Sequence, residues 1–228
     1  MKFPRPRRPD RPGPPAAPEP TGPEPPCTIG EQLAQDAFGT RDRAARFYRD
    51  QVTGQLTDRM REFITRMEMV WVATADAAGE CDCSFRSGPP GFVRVLDERR
   101  LAYPDYRGNG VMASSGNMIE NPHIGLWFGD FDQDLIGLHV NGRAAVLTAA
   151  QMSAVDPGSP PPAHPGQRPV HWVLVDVQEC FVHCRKHLPR LVRQPRDQRW
   201  GTDSALAKGG DYFGAAAAAD AAAPRTSS

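Results

Sequence analysis

The sequence contains no uninterrupted apolar run of the length, about 18 residues, that a membrane-spanning helix requires. No apolar stretch follows the basic residues near the N-terminus either, so we expect no secretory signal there. Charge of one sign is not in excess, because 27 basic residues balance 27 acidic ones in a chain of 228 residues. Nucleic-acid-binding proteins draw affinity from surplus Lys and Arg. We therefore expect neither a membrane nor a nucleic acid as partner.

Cysteine is scarce as well, and the number of cysteines is odd, at 5. A chain of this length does not need disulfides to fold, so we expect reduced thiols and a cytoplasmic protein. No Cys-x-x-Cys pair marks a metal site. On a strand, Cys180 and Cys184 would face one side and His183 the other, which favours small buried thiols over zinc ligands.

Apolar residues make up 39% of the chain and aromatic residues 8%, which is below the average for globular proteins, and the lack of apolar residues is concentrated in a few segments. Eleven of the 24 prolines lie within the first 26 residues. Such a composition cannot offset the entropy cost of ordering, so we predict disorder there and in the Ala-rich C-terminus. The predicted parts are a Pro-rich disordered tail (1–27), a helical segment (28–68), a barrel domain (69–200) and an Ala-rich disordered tail (201–228).

Three helices are predicted before residue 68. Thr28 and Glu31 have the spacing of a capping box, in which a hydroxyl and a carboxylate satisfy free amides at a helix start. This first helix is expected to end at Gly39. Thr40, and then Thr57 or the aspartate after it, can cap two further helices whose apolar residues recur every three or four positions.

After these helices the apolar pattern changes to a period of two, which is typical of strands. A short helix is predicted over 111–119, and a long Pro-rich loop over 149–169. Six or so strands with an embedded helix and a leading helical segment indicate an α+β fold built on a small β-barrel. The predicted strands cover 69–75, 81–87, 92–96, 101–103, 123–128, 135–147 and 171–182.

Residues 84–121 combine features of an anion site. Arg86 and Arg94 supply cations on or beside strands, and the turn Arg107–Gly110 exposes backbone amides that a Cβ would crowd. The helix that follows starts near Val111 and directs its amide end toward the same turn, as suits a phosphate monoester. The alternative is that the glycines only make a tight turn and the arginines are solvated. This alternative stays open because the sequence contains no P-loop or dinucleotide-binding motif here.

The order of several motifs resembles the pyridoxamine 5'-phosphate oxidase-like flavoproteins, also called FMN-binding split barrels. The resemblance covers residues 60–148 closely and the strand that ends near Cys184 more loosely. It implies a split barrel of mainly antiparallel strands and a homodimer with FMN at each subunit interface. The motifs are ATADAAGECDCSFRSGPPGFVRVLD, LAYPDYRGNG, GNMIENPHIGLWF and LHVNGRAAV.

The same resemblance assigns candidate FMN-binding residues to four places in the chain. One strand would run beside the isoalloxazine ring, the next strand would end in further flavin contacts, and the loop and helix start after it would hold the phosphate. Two residues on the strand before these complete the set. The strand beside the ring carries Phe92, Val93 and Arg94, and the next strand ends in Tyr103, Pro104 and Asp105. The loop and helix start contain Asn109 and Ser114, and the strand before these carries Ser84 and Arg86.

The sequence departs from the true oxidase at three points. Ala113–Ser114 stands where the oxidase has a basic pair, and Gly137 or Leu138 stands near the position of a flavin-contacting Gln. The oxidase ends in a segment with Trp and Arg that helps bind its vitamin substrate, and here only Arg199–Trp200 is similar to that segment. The resemblance therefore implies FMN binding without implying vitamin B6 oxidation.

We expect an FMN-dependent oxidoreductase that transfers hydride to or from a small molecule, with no side chain needed as acid or base. One alternative is a non-catalytic module in which the same barrel holds flavin, a flavin-like cofactor or haem, with His139 or His183 as haem ligand. Another is a structural dimer with a degenerate site. Cys184 or His183 can also approach the flavin from the last strand, and no motif supports a serine nucleophile paired with His123.

Overall fold

The computed structural model describes residues 27–194, 198–216 and 218. The predicted Pro-rich tail, apart from its last residue, lies outside this range, as do residues 217 and 219–228 of the predicted Ala-rich tail. The chain divides into two compact units, Met1–Asp50 and Gln51–Ser228. Among the described residues no helix combines the length and apolar character needed to cross a membrane.

The described part of the first unit, residues 27–50, contains helix α1 (Ile29–Ala37) and most of helix α2 (Arg41–Gln51), whose last residue opens the second unit. The predicted capping box at α1 is confirmed, because the Thr28 hydroxyl accepts from the Glu31 amide and the Glu31 carboxylate accepts from the Thr28 amide. The α1 helix is followed by Gly39, whose φ of +63° favours glycine.

The second unit is built on one antiparallel sheet of eight strands in the order β3-β2-β6-β7-β8-β5-β4, with β1 also paired to β8. The predicted α+β split-barrel fold is confirmed, and the sheet is open, with β3 and β4 at the two ends of the pairing path. The strands are β1 (Val52–Thr53), β2 (Met69–Ala75), β3 (Cys81–Ser87), β4 (Arg94–Val95), β5 (Arg100–Asp105), β6 (His123–Asp130), β7 (Ile136–Leu147) and β8 (His171–His183).

The helices that accompany this sheet along the described range 51–194 are α3 (Asp58–Arg66), α4 (Ala113–Glu120) and α5 (Ala149–Val155). The α4 helix joins β5 to β6 and packs against β2, β3 and β7. The prediction of a loop throughout 149–169 is wrong at its start. Thr148 and Gln151 form a second capping box, and the buried side chain of Met152 anchors α5 to the core.

The core lies on the inner face of the sheet, against α3 and α4. Alternate residues of β2 and of the first half of β8 are buried, as the period of two predicts, whereas four successive residues of β5, Leu101 to Pro104, are buried. The fully buried side chains with the largest volumes include Tyr103, Phe128, Leu101, Leu126, Val70, Val72 and Val173. Packing on this core fixes the start of α4 beside the ends of β3 and β5.

Candidate functional site

A group of polar side chains, here called the polar cluster, lies where β3, β5, β8 and the start of α4 meet. Alternation along β3 places its three members on one face, and alternation along β5 does the same for two more. Five of the eight members were predicted from the sequence. The polar cluster consists of Asp82, Ser84, Arg86, Tyr103, Asp105, Ser114, Ser115 and His171.

Two serine hydroxyls in the polar cluster converge on one carboxylate. The Ser84 hydroxyl lies 2.9 Å from Asp82 Oδ2, and the Ser114 hydroxyl lies 2.8 Å from the same oxygen. Ser114 is buried, and its oxygen is also 3.1 Å from that of Ser84. A hydroxyl has one hydrogen to donate, so Asp82 engages the donor of each serine.

Arg86 joins β3 to β5 and α4. Its Nη2 donates to Asp105 Oδ2 at 3.2 Å and to Ser114 Oγ at 3.4 Å, while Nη1 donates to the Phe85 carbonyl. The side chain is only 20% exposed, so the ion pair is sheltered from solvent screening. Arg86 is therefore held inside the polar cluster rather than turned out into solvent.

His171 contacts two members of the polar cluster through a single ring nitrogen. Its Nε2 is 2.9 Å from Ser115 Oγ and 3.4 Å from Asp105 Oδ2. A serine–histidine–aspartate triad uses the two ring nitrogens separately, one for the serine and one for the carboxylate. His171, Ser115 and Asp105 therefore do not form a catalytic triad.

Two buried donors in the polar cluster have no hydrogen-bond partner among the described residues. They are the Tyr103 hydroxyl and Arg86 Nε; the third such atom is Trp127 Nε1, elsewhere in the sheet. Burial raises the pKa of Tyr103, and the charges of Arg86 and Asp105 act on it in opposite directions, which places the phenol beside that pair. Buried polar groups nearly always find a partner, so two orphaned donors in one polar cluster indicate a binding site for an acceptor.

The start of α4 adds a positive dipole end to the same place. Ser114 and Ser115 lie in its first turn, where backbone N–H groups have no partner within a helix. Met112 precedes the helix in the left-handed region, with φ at 57°, and its side chain makes no capping hydrogen bond. The helix start is therefore left open to an acceptor from outside the helix.

Arg94 and Pro104 lie on the opposite face of the sheet from the polar cluster. With Trp172 they line a cleft of about 320 Å³ that is covered by prolines of the segment 159–163. The Arg94 guanidinium donates to Asp156 at 3.1 Å, just after α5. The stretch from Tyr103 to Asp105 is thus divided between two faces of β5.

The three remaining predicted site residues lie outside the polar cluster, and one of them lines the cleft. Phe92 is buried and borders the cleft, whereas Val93 lies in the core at 1% exposure. Asn109 is exposed, and its side-chain oxygen accepts from the Val111 amide, so it shapes the loop before α4. The structure therefore gathers five of the ten predicted residues, Ser84, Arg86, Tyr103, Asp105 and Ser114.

Three members of the polar cluster, Asp82, Ser115 and His171, were not predicted from the sequence. The alternation that placed Ser84 and Arg86 on one face also includes Asp82, so that signal was present in the sequence. His171 could not be found this way, because it meets β5 only through the pairing of Asp105 with His171 in the sheet.

A pair of histidines lies on the outer face of β7 and β8. His139 Nε2 is 3.1 Å from His183 Nδ1, and the His139 ring stacks on Phe181 with centroids 4.6 Å apart. Burial, together with the nearby His183, lowers the pKa of His139. Trp127, whose Nε1 has no hydrogen-bond partner among the described residues, packs its ring edge-on to His183.

The cysteines give no sign of a metal centre. Within the described ranges no group of three or more His, Cys, Asp or Glu side chains is placed to hold a metal ion. Cys180 is buried, and burial raises the pKa of its thiol to about 12, so the neutral form is favoured. Cys184 lies just beyond β8 and is exposed.

Comparison with known proteins gives one family and several solved structures. Residues 56–184, more than half of the chain, match the family model described as pyridoxamine 5'-phosphate oxidase. No curated protein matches.

Three solved structures serve as examples of proteins that are similar to this chain at low sequence identity. HupZ from Group A Streptococcus is 21% identical, with 56% of this chain and 93% of that chain covered and a TM-score of 0.40. HutZ, the haem storage protein from Vibrio cholerae, is 15% identical, with 56% and 94% covered and a TM-score of 0.36. An FMN-binding protein from Syntrophomonas wolfei is 11% identical, with 73% and 100% covered and a TM-score of 0.40.

Proposed function

The chain belongs to the pyridoxamine 5'-phosphate oxidase family, and from this premise we propose that it binds FMN and acts as an FMN-dependent oxidoreductase. The observation that carries the proposal is the pair of orphaned donors, the Tyr103 hydroxyl and Arg86 Nε, beside the open start of α4. A phosphate monoester offers several acceptor oxygens to such donors.

Within this proposal the polar cluster holds the phosphate of the cofactor. Arg86 supplies the cation, Tyr103 donates from the buried side, and the hydroxyls of Ser84 and Ser114 can turn toward the same acceptor. Asn109 supports this site by fixing the loop before α4. The contacts of Phe92, Arg94 and Pro104 with the flavin ring remain predictions.

The chemistry of the reaction belongs to the cofactor. When bound, FMN supplies hydride transfer, and the protein supplies orientation and shelter from water. His171 Nε2 is shared between Ser115 and Asp105, so the relay of a serine–histidine–aspartate triad is missing, and we assign no side chain to proton transfer. We also propose that the protein is a homodimer with FMN between its subunits and that its substrate is a small molecule.

The first test is the absorption spectrum of the protein as isolated, followed by identification of the released cofactor. We expect flavin bands and FMN. The Arg86→Ala variant should bind FMN about ten- to hundredfold more weakly by fluorescence titration, since a charge-assisted hydrogen bond is lost. Arg49→Ala, at an exposed arginine of α2, is the matched control and should bind as the wild type does. A colourless protein that takes up no FMN would reject the proposal.

The alternative is a non-catalytic module that holds haem or a flavin-like cofactor in the same barrel. The close pair of His139 and His183 favours it, because a lowered pKa keeps the His139 imidazole neutral and able to bind iron. Haem added to the protein would then give a Soret band that is lost in His139→Ala or His183→Ala. Turnover of NAD(P)H or of pyridoxamine 5'-phosphate by the flavin-loaded protein would favour the oxidoreductase instead.

A further inference from the structure

The polar cluster contains a carboxylate that a simple phosphate site would exclude. Asp82 Oδ2 is within 3 Å of the hydroxyls of Ser84 and Ser114, the two hydroxyls that the proposed site directs to the phosphate. A dianionic phosphate that replaced Asp82 as their acceptor would lie against a like charge. At a distance of a few ångströms in a partly buried site such repulsion opposes binding, because little solvent screens the two charges.

The charges around Asp82 do not cancel this repulsion. Arg86, on the same strand, is the one permanent cation of the polar cluster, and it is already paired with Asp105 from β5. Tyr103 of β5 faces the cluster as a neutral phenol, because burial raises its pKa. His171 of β8 is the remaining titratable member. Apart from His171, two carboxylates and one guanidinium leave the polar cluster with a net negative charge.

A phosphate that keeps one proton resolves the conflict. Its P–OH group can donate to Asp82, while its other oxygens accept from Arg86 Nε and the Tyr103 hydroxyl, the two donors that lack partners. We therefore propose that the polar cluster selects the monoanionic, singly protonated form of a phosphate monoester, with Asp82 as the acceptor of the retained proton. This inference rests on the proposed binding of FMN and specifies which ionic form is bound.

Selection of the monoanion makes binding depend on pH and on the kind of anion. The second pKa of a phosphate monoester is about 6, so above that pH one proton must be taken up from solvent as the ligand binds. Sulfate carries no proton near neutral pH and cannot donate to Asp82. It should therefore be rejected although its size and shape match those of phosphate.

The test is the dissociation constant of FMN, measured by fluorescence titration at pH 6 and pH 8. For strict selection of the monoanion it should rise about fiftyfold in the wild type, since the monoanion falls from about one half to about one hundredth of the ligand. Asp82→Asn should bind FMN more tightly at pH 8 and show less than about a threefold change, because its amide can donate to the dianion. Inorganic phosphate, but not sulfate, should displace FMN at pH 6.

Three controls separate Asp82 from other causes. Riboflavin, which has no phosphate, should show no such pH dependence, and Asp176→Asn, at an exposed carboxylate of β8, should behave as the wild type does. His171→Gln should keep the fiftyfold change. If His171→Gln or Asp105→Asn abolishes the change while Asp82→Asn keeps it, the role given to Asp82 is wrong.

Other outcomes are equally decisive. If the wild type binds FMN with the same affinity at both values of pH, FMN binding stands and selection of the monoanion is rejected. If no variant binds FMN at any pH, both proposals fall.

Discussion

Tyr103 combines full burial with an unsatisfied hydroxyl, and such a residue is costly to keep unless it serves a ligand. An unpaired buried hydroxyl destabilises the folded chain by about 1–3 kcal/mol relative to an apolar group of the same shape. We predict that Tyr103→Phe raises the free energy of unfolding of the cofactor-free protein by about 1 kcal/mol, as measured by urea denaturation. The same variant should bind FMN about tenfold more weakly, because one donor is lost.

Tyr106→Phe provides the matched control for this prediction. Tyr106 is half-buried, its ring packs edge-on to Trp200, and it lies outside the polar cluster. Removing its hydroxyl should change neither the stability nor the affinity for FMN by a comparable amount. If Tyr103→Phe is instead less stable than the wild type, the hydroxyl has a partner in solution and does not mark a binding site.

At the level of single residues, the family resemblance named Ser84 and Ser114 as site residues, and Arg86 was also predicted as a cation on or beside a strand. Alternation along that strand explains why Ser84 and Arg86 share a face. The division of Pro104 and Asp105 between two faces of β5 also follows from alternation, yet the resemblance alone treated them as one flavin-contacting stretch. His171 depends on strand pairing over 66 positions, and no local pattern carries that information.

At the level of elements, strands with clear alternation were found almost to the residue. The observed bounds Met69–Ala75 and Cys81–Ser87 equal the predicted ones. Helix α5 was missed because the prolines that follow it dominate the composition of 149–169. Strand β1 was missed because it has only two residues, Val52 and Thr53, and its pairing with β8 defines it.

The helix α4 begins after a strained residue. Met112 occupies the left-handed region, φ 57° and ψ 33°, which costs a residue with a Cβ about 1 kcal/mol relative to glycine. Met112→Gly should therefore raise the free energy of unfolding by about 0.5–1 kcal/mol in thermal or urea denaturation. The neighbouring Val111 is also exposed but does not have a positive φ, so Val111→Gly should not stabilise the protein. Equal effects of the two substitutions would mean that backbone strain at Met112 is not the cause.

At the level of the whole molecule, the outer face of the sheet carries an aromatic group that is not fully covered. Phe85 is 51% exposed and packs edge-on to Trp71, which in turn contacts Trp127 and Phe131. Contiguous exposed apolar surface of this kind commonly marks an interface between protein molecules. Strand β3, which carries Phe85 on this face and Ser84 and Arg86 of the polar cluster on the other, is therefore our choice for the contact between the two subunits of the proposed homodimer.

The proposed homodimer links assembly to FMN binding, because a cofactor held between two subunits binds only as well as the subunits associate. We predict a mass near twice 25.0 kDa for the wild type by light scattering, and a monomer with weaker FMN binding for Phe85→Asp. Phe38→Asp, the same change at an exposed residue of the first unit, should leave the dimer intact. A monomeric wild type that binds FMN with unchanged affinity on dilution would place the whole site within one chain. If Phe85→Asp is still a dimer, the contact between the subunits does not involve the exposed aromatic group around Phe85.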